Sequence, residues 1–244
     1  MGKILLGIDV ETTGLDAEKD RITEIAWAIF DTDNWKKPLE CAHFYVQTGT
    51  PVPPEIVELT GITDELLEKY GTPEAYAADE LATALAGYHV DFMVAQNAPF
   101  DRGFIRALFA RTEHTLEKDY WIDTKVDIEY PKHVRARNLV GLCAEHGFLN
   151  PFPHSALFDV FSMMKLLSMY PIDDVLAYRA EPTVILNALV DFDNKDKAKK
   201  CGFSWQEVAG KTFFKKWVKA VKRKHVAEEK AKADFTIVEL GATT

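Results

Sequence analysis

The sequence predicts an α/β fold, a sheet layered with helices, followed by a small α+β module. Three observations predict it. Short apolar runs of strand character alternate with segments of helical period over about the first 170 residues. The first run, Ile4-Leu5-Leu6-Gly7-Ile8, leads into two carboxylates at i and i+2, Asp9 and Glu11. Beyond Glu181-Pro182 the composition shifts to lysines interleaved with aromatics. The expected division is a first domain over residues 1–180 and a basic module over 183–244.

Lys3 to Val10 reads as a buried strand because it is almost wholly apolar. A turn with Gly14 follows, then apolar runs Ile22 to Phe30 and Cys41 to Val46. These predict three neighbouring strands joined by short turns. Pro54 suits the first turn of a short helix, Glu55 to Leu59, which Gly61 stops. Thr63-Asp64-Glu65 begins another, and Pro73 opens a longer one to about Gly87. Phe92 to Ala95 reads as a short strand. Pro99 marks a helix start, with Phe104, Ile105, Leu108 and Phe109 at helical spacing. Tyr120 to Val126 is expected as a further strand. Asn138 to His146 is amphipathic, with Gly147 as its stop, and Ser155 to Met169 is strongly helical. In the module, Val184 to Phe192 reads as a strand and Asn194 to Cys201 as a short helix. A lysine-rich helix to about Lys232 and a last strand, Phe235 to Leu240, are expected after it.

The chain has 244 residues, 47% hydrophobic and 27% charged, enough apolar mass for a sizeable core. No stretch resembles a membrane span. Asp9 and Glu11 interrupt the apolar start, so a signal peptide is not expected, and Leu6 occupies the Ser/Thr position of a myristoylation signal. Cys41, Cys143 and Cys201 are odd in number and widely spaced, which suggests reduced thiols and a cytoplasmic setting. The net charge of −9 argues at first against a polyanionic partner. Its distribution argues otherwise: Lys195 to Lys232 holds 13 Lys and Arg against 4 Asp and Glu, and the remainder 16 against 34. A solvated lysine face and a nucleic-acid contact both account for that asymmetry.

The chemistry begins with Asp9 and Glu11. In a strand, residues two apart share a face. Two like charges so placed repel each other and are costly to desolvate, and a divalent cation is the simplest remedy. Asp101 falls in the first turn of a helix after a short strand, aimed at a sheet edge. Asp159 falls early in the helix after Pro153. Five residues rotate an ideal helix by about 140°, so His154 and Asp159 converge only if His154 precedes the helix, with Ser155 as N-cap. Each of these residues alone has an ordinary explanation as a strand end, helix-start acid or loop histidine. Cys143-x-x-His146 has zinc-like spacing, but no second ligand pair accompanies it, and both lie on one apolar helical stripe. Lys132-His133-Val134-Arg135-Ala136-Arg137 is a short basic cluster, either a phosphate contact or a solvated loop.

Asp9-x-Glu11, Asn97-x-x-Phe100-Asp101 and His154-x(4)-Asp159 together resemble the three motifs of the DEDDh 3′–5′ exonuclease superfamily. The likeness is to the proofreading subunit of bacterial DNA polymerase III and to exonuclease X, and covers about residues 3–170. Leu59-Thr60-Gly61-Ile62 resembles the family's terminal-base wedge, and Ile122-Asp123-Thr124 a further common stretch. The resemblance implies a ribonuclease H-like mixed sheet flanked by helices and two Mg2+ or Mn2+ ions held by Asp9, Glu11, Asp101 and Asp159. On this basis Asp9 bridges the ions, Glu11 and Asp159 hold the one carrying water, and Asp101 supports the second. His154 takes the proton, since an imidazole suits a base at neutral pH. Thr12 and Thr13 are expected to hold the terminal nucleotide with Asn97, and Leu15, Ile62 and Phe100 to pack on it. The implied substrate is DNA with a single-stranded or frayed 3′ end, with RNA as alternative, a polymerase as partner in proofreading and no membrane. A non-catalytic adaptor is the competing class, against which the full set of five residues argues. The module resembles one attached to exonuclease-X-like proteins. There Phe203, Trp205, Phe213 and Trp217 are expected mostly as core and some lysines as DNA contacts.

Overall fold

A computed structural model describes residues 2–207 and 215–242. The chain divides into two compact units, one through Arg179 and one from Ala180.

The first unit is built on a five-stranded mixed sheet in the order β3-β2-β1-β4-β5. β1 (Ile4–Thr12), β2 (Ile22–Asp31) and β3 (Glu40–Tyr45) form an antiparallel meander. β4 (Phe92–Ala95) and β5 (Trp121–Asp123) continue the sheet parallel to β1. β1 is therefore central, and its near-continuous apolar sequence follows from burial on both faces. Leu6, Ile8 and Val10 point to one face, where they pack with Leu81 of α3 (Glu74–Gly87) and with Phe104 and Ile105 of α4 (Ala98–Arg111). Leu5 lies on the other face with Leu142 of α5 (Leu139–Glu145) and Met163 and Met164 of α6 (Ala156–Leu167). Two short helices, α1 (Pro54–Thr60) and α2 (Asp64–Tyr70), connect β3 to α3. Gly61 ends α1 at φ 74°, a left-handed conformation that glycine adopts without strain.

Some elements differ from expectation. β5 stops at Asp123 because, after the last ladder bond from Thr124 N–H to Ala95 O, Val126 and Asp127 N–H turn back onto Asp123 O, and the Asp127 side chain accepts Asp123 N–H. A helix α7 (Ile172–Ala180) follows α6, where no element was expected; Pro171 and the first-turn acids Asp173 and Asp174 mark its start.

The second unit has a sheet in the order β7-β8-β6-β9: β6 (Thr183–Leu189), β7 (Ser204–Glu207), β8 (Lys215–Lys222) and β9 (Thr236–Ala242). α8 (Lys195–Lys200) and α9 (Val226–Lys232) are short. The expected lysine-rich helix to about Lys232 forms only over α9, because β8 runs through Lys222 and a 3-10 turn covers Arg223–His225. Trp217 and Val218 of β8 pair with both β6 and β7, and burial of Val218 between them outweighs helical propensity. Phe203 is core, but Trp205 is 53% exposed, its ring 5.4 Å from that of Trp217. Phe213 lies outside the described residues. Many of the basic side chains are paired: Lys197 with Asp234, Lys219 with Glu229, Arg223 and Lys230 with Glu239, and Lys232 with Glu228 and Glu229. Among the described residues no helix is long and apolar enough to cross a membrane.

Candidate active site

β1, β4 and β5 run in one direction, so their C-terminal ends share an edge of the sheet. The pairing of β1 with β4 ends at Gly7 and Val94. Beyond that point β1 continues without a partner on that side, while β4 turns into α4. The opening lies where the chain order reverses across the sheet, a common place for ligand sites.

Asp9 and Glu11 are on the α6 face of β1, with Gly7. A Cβ on Gly7 would lie 2.5 Å from Met164 Cγ, so glycine allows α6 to rest directly on β1. That contact places Asp159, in the first turns of α6, beside the β1 carboxylates. Ser155 holds the N-cap position and its carbonyl accepts Asp159 N–H at 3.0 Å. His154 precedes it at φ 64° and donates its main-chain N–H to Asp159 Oδ2 at 3.1 Å. Ligating atoms of Glu11, His154 and Asp159 lie within 4.8 Å of one another.

Asp101 arrives from the opposite layer. It is 2% exposed, and its Oδ1 accepts Val10 N–H, a donor freed by the end of β4, at 3.3 Å. The turn that launches α4 is fixed from β5. Asn97, at φ 75°, donates its N–H to Asp123 Oδ1 at 2.9 Å, which also accepts Lys125 N–H. Asp123 therefore sets the direction of α4 and with it the depth of Asp101.

The electrostatics are those of crowded acids. Burial, then the charges of Asp101, Asp159, Glu11 and Glu24, hold Asp9 well above the usual carboxylate range. Glu11 is pushed up to about 8 by burial and by Asp159 and Glu24. Burial also raises Asp101 and Asp159, the latter against the opposing hydrogen bonds from Asn150 and His154 N–H. As bare protein this edge favours protons. A divalent cation relieves both penalties, and a donor set of carboxylate oxygens suits a hard ion. The residues fit the group.

Not every expected contact is placed for a ligand. Leu15 is 87% exposed at the loop tip, and Phe100 is half-buried against Phe104. Asn97 is exposed and accepts from Lys125 Nζ at 3.1 Å. Thr12 and Thr13 are buried, and their hydroxyls shape the turn: Thr12 Oγ1 donates to Gly14 O, and Thr13 Oγ1 accepts Arg21 N–H. Ile62 needs correction as a base-packing residue. It is 2% exposed in a cluster with Val52 and Leu67, because α1 and α2 close over it; its neighbour Leu59 is 51% exposed.

Sequence reasoning missed Glu24 and His43. Glu24 is the register partner of Glu11 on β2, 2% exposed, with Oε1 2.6 Å from His43 Nε2 on β3. Ser155 Oγ reaches the same oxygen at 3.5 Å. The signal was present: Glu24 is the one acid inside Ile22-Thr23-Glu24-Ile25-Ala26-Trp27-Ala28-Ile29-Phe30. Asn150, whose Nδ2 donates to Asp159, was also missed.

A five-stranded mixed sheet whose open edge gathers acids from three distant segments defines a class of metal-dependent hydrolases, and comparison with known proteins narrows it. The exonuclease family profile matches residues 6–167, about two thirds of the chain, which therefore belongs to that family, within the DEDD-type 3′–5′ exonuclease superfamily. The family is divalent-metal dependent. The chain is 29% identical over 157 residues to the PolC-type DNA polymerase III of Listeria innocua, covering 62% of this chain and 10% of that protein. It is 34% identical over 116 residues to ribonuclease T of Photorhabdus laumondii, covering 43% of this chain and 53% of that one. The chain thus spans about a tenth of the polymerases and half of the ribonuclease it matches. The fold is ribonuclease H-like and similar to E. coli exonuclease I. The zinc-bound complex of that enzyme with single-stranded DNA superposes with a TM-score of 0.65 at 16% identity, over 98% of this chain and 65% of that one.

Proposed function

We propose that this chain is a metal-dependent 3′–5′ exonuclease that removes nucleoside 5′-monophosphates from the 3′ end of DNA. The observation that carries the reading is the meeting of Asp9, Glu11, Asp101 and Asp159 with His154 at one sheet edge. Asp9, Glu11, Asp101 and Asp159 would hold the ions, Mg2+ or Mn2+. When bound, a pair of such ions lowers the pKa of water and neutralises charge on the leaving 3′-oxygen.

The remaining work falls to the protein. His154 is exposed at the mouth of the site, within reach of Glu11 and Asp159, where it takes the proton from the attacking water. Its backbone is tied to Asp159, which holds the imidazole loop against the carboxylates. Leu15 and Phe100 supply apolar surface at the rim for the terminal nucleoside, beside the Asn97 amide.

DNA is favoured because the fold's solved counterpart carries single-stranded DNA and one set of relatives are DNA polymerases. A polymerase is the corresponding partner for proofreading, and a cytoplasmic setting goes with it. The likeness to ribonuclease T supports RNA as the second reading. End-labelled DNA and RNA oligonucleotides, incubated with Mg2+ or with EDTA, decide among DNA exonuclease, RNA exonuclease and inert binder. The expected result is stepwise shortening of DNA only with Mg2+. Asp9→Ala is expected to abolish it and His154→Ala to slow it by about 10²–10⁴-fold. An Asp9→Ala protein as active as the unaltered chain would sink the proposal.

A further inference from the structure

The loop between β5 and α5 carries cations that the chemistry above does not use. Its conformation is fixed from several sides. Val134 is buried, Glu145 Oε2 accepts the main-chain N–H groups of Arg135 and Ala136, and Asn138 caps α5. Gln96 Nε2 donates to Arg137 O at 2.9 Å, and Gln96 in turn accepts from Thr124 Oγ1. Gln96 adjoins Asn97, so this loop lies along the same sheet edge as the active site, on its β4–β5 side.

Three cationic side chains stand on that edge outside any ion pair among the described residues, although burial raises the Asp123 carboxyl and the charge of Lys125 acts to lower it. Lys125 Nζ reaches the neutral Asn97 Oδ1. The Arg137 guanidinium lies 5.4 Å over the Tyr130 ring and donates to the carbonyls of Val134 and Ala136. Arg135 is exposed, and its side chain makes no hydrogen bond, ion pair or ring contact among the described residues. Several other arginines of this unit sit on acids, Arg102 and Arg106 on Asp119 and Arg111 on Glu74, whereas Arg21 donates to the carbonyls of Lys19 and Asp20. Cations left unpaired on a rigid loop beside a cleft of acids fit a polyanion that must pass the acids to reach the metal.

We propose that Lys125, Arg135 and Arg137 form a track for phosphodiester groups on the 5′ side of the cleaved bond. The proposal rests on the exonuclease reading for its direction. A strand cut at its 3′ end has only one nucleoside beyond the scissile phosphate, ending in a hydroxyl. Every further phosphate therefore lies on the 5′ side. The contacts are to the backbone, so they hold strands of any sequence.

The test is binding of a fluorescent single-stranded oligonucleotide to the full chain in EDTA, where no cleavage occurs, across a series of salt concentrations. Arg135→Gln and the double variant Arg135→Gln/Arg137→Gln are compared with the unaltered protein. Removal of two phosphate contacts should lower the slope of log affinity against log salt by about 1.4 and weaken binding roughly tenfold at low salt. The single variant should show about half the slope change, and since Arg135 is exposed with no side-chain hydrogen bond or ion pair among the described residues, misfolding does not explain its effect. With Mg2+, the preference for a long strand over a dinucleotide should fall in step. Unchanged slope and affinity in both variants would overturn the track. Turnover of the unaltered chain with Mg2+ reports separately on the exonuclease reading: a chain that binds through the track yet never cleaves would refute only the latter.

Discussion

Glu24 shows how a single buried side chain tunes the site from behind. It faces Glu11 across β1 and β2, holds His43, and raises the proton affinity of Asp9, Glu11 and Asp159 by its charge. Glu24→Gln should keep the oxygen that contacts His43 while removing that repulsion. Thermal melts in EDTA at pH 8 should then rise by a few degrees, about 2–4 °C per kcal/mol in a chain of this size, and the further gain on adding Mg2+ should shrink. Glu11 sets the pH dependence. Its folded-state value of about 8 lies above the ordinary 4.5, so the unfolded chain releases this proton first. The penalty is absent at acid pH, grows above about pH 4.5 and is complete above about 8. Melting temperatures in EDTA should therefore fall between pH 5 and 8, and Mg2+ should stabilise most at the alkaline end. Equal Mg2+ stabilisation at both ends of that range would contradict the crowded-acid account.

At the level of elements, the site depends on how closely α6 and α4 approach β1. Gly7→Ala adds a Cβ into Met164, and overpacking of this kind costs about 1–3 kcal/mol. Because α6 carries Asp159, the same change should raise the Mg2+ concentration needed for half-maximal activity, which a metal titration reads directly. The strands and helices that build this edge were legible in the sequence because their cues are local: an apolar run for β1, proline at the start of α4, a Ser-led amphipathic segment for α6. The four acids and the histidine stood out through the spacing of their motifs. Glu24 was not, because its role comes from antiparallel register with a strand joined through a turn, and register is a property of the pair. Nor was β8, whose Lys-Lys-Trp-Val-Lys-Ala-Val-Lys sequence supports either period until a neighbouring strand is in place. Ile62 misled because an apolar residue in a recognisable segment was assigned to the substrate, whereas α1 and α2 needed it as their own small core.

At the scale of the molecule, both large cores and every proposed metal ligand lie before Ala180. A chain ending at Pro182 should hydrolyse a dinucleotide within about twofold of the full protein's rate, which a steady-state assay would check; collapse of activity would assign the second unit a part in the chemistry. The paired lysines of that unit also temper its basic appearance, since a cation already on a carboxylate releases fewer counterions from a nucleic acid. The position of β1 has one more consequence, for synthesis. Its partner β2 follows at once, but Leu5 waits for Phe92 on β4, and Gly7 for the methionines of α6. A nascent chain thus presents an apolar hairpin with one bare edge until β4 is made, about a third of the unit's translation. Such an edge invites pairing with other chains and slow, non-local closure, so yield in a cell should depend on chaperone supply and improve at low temperature.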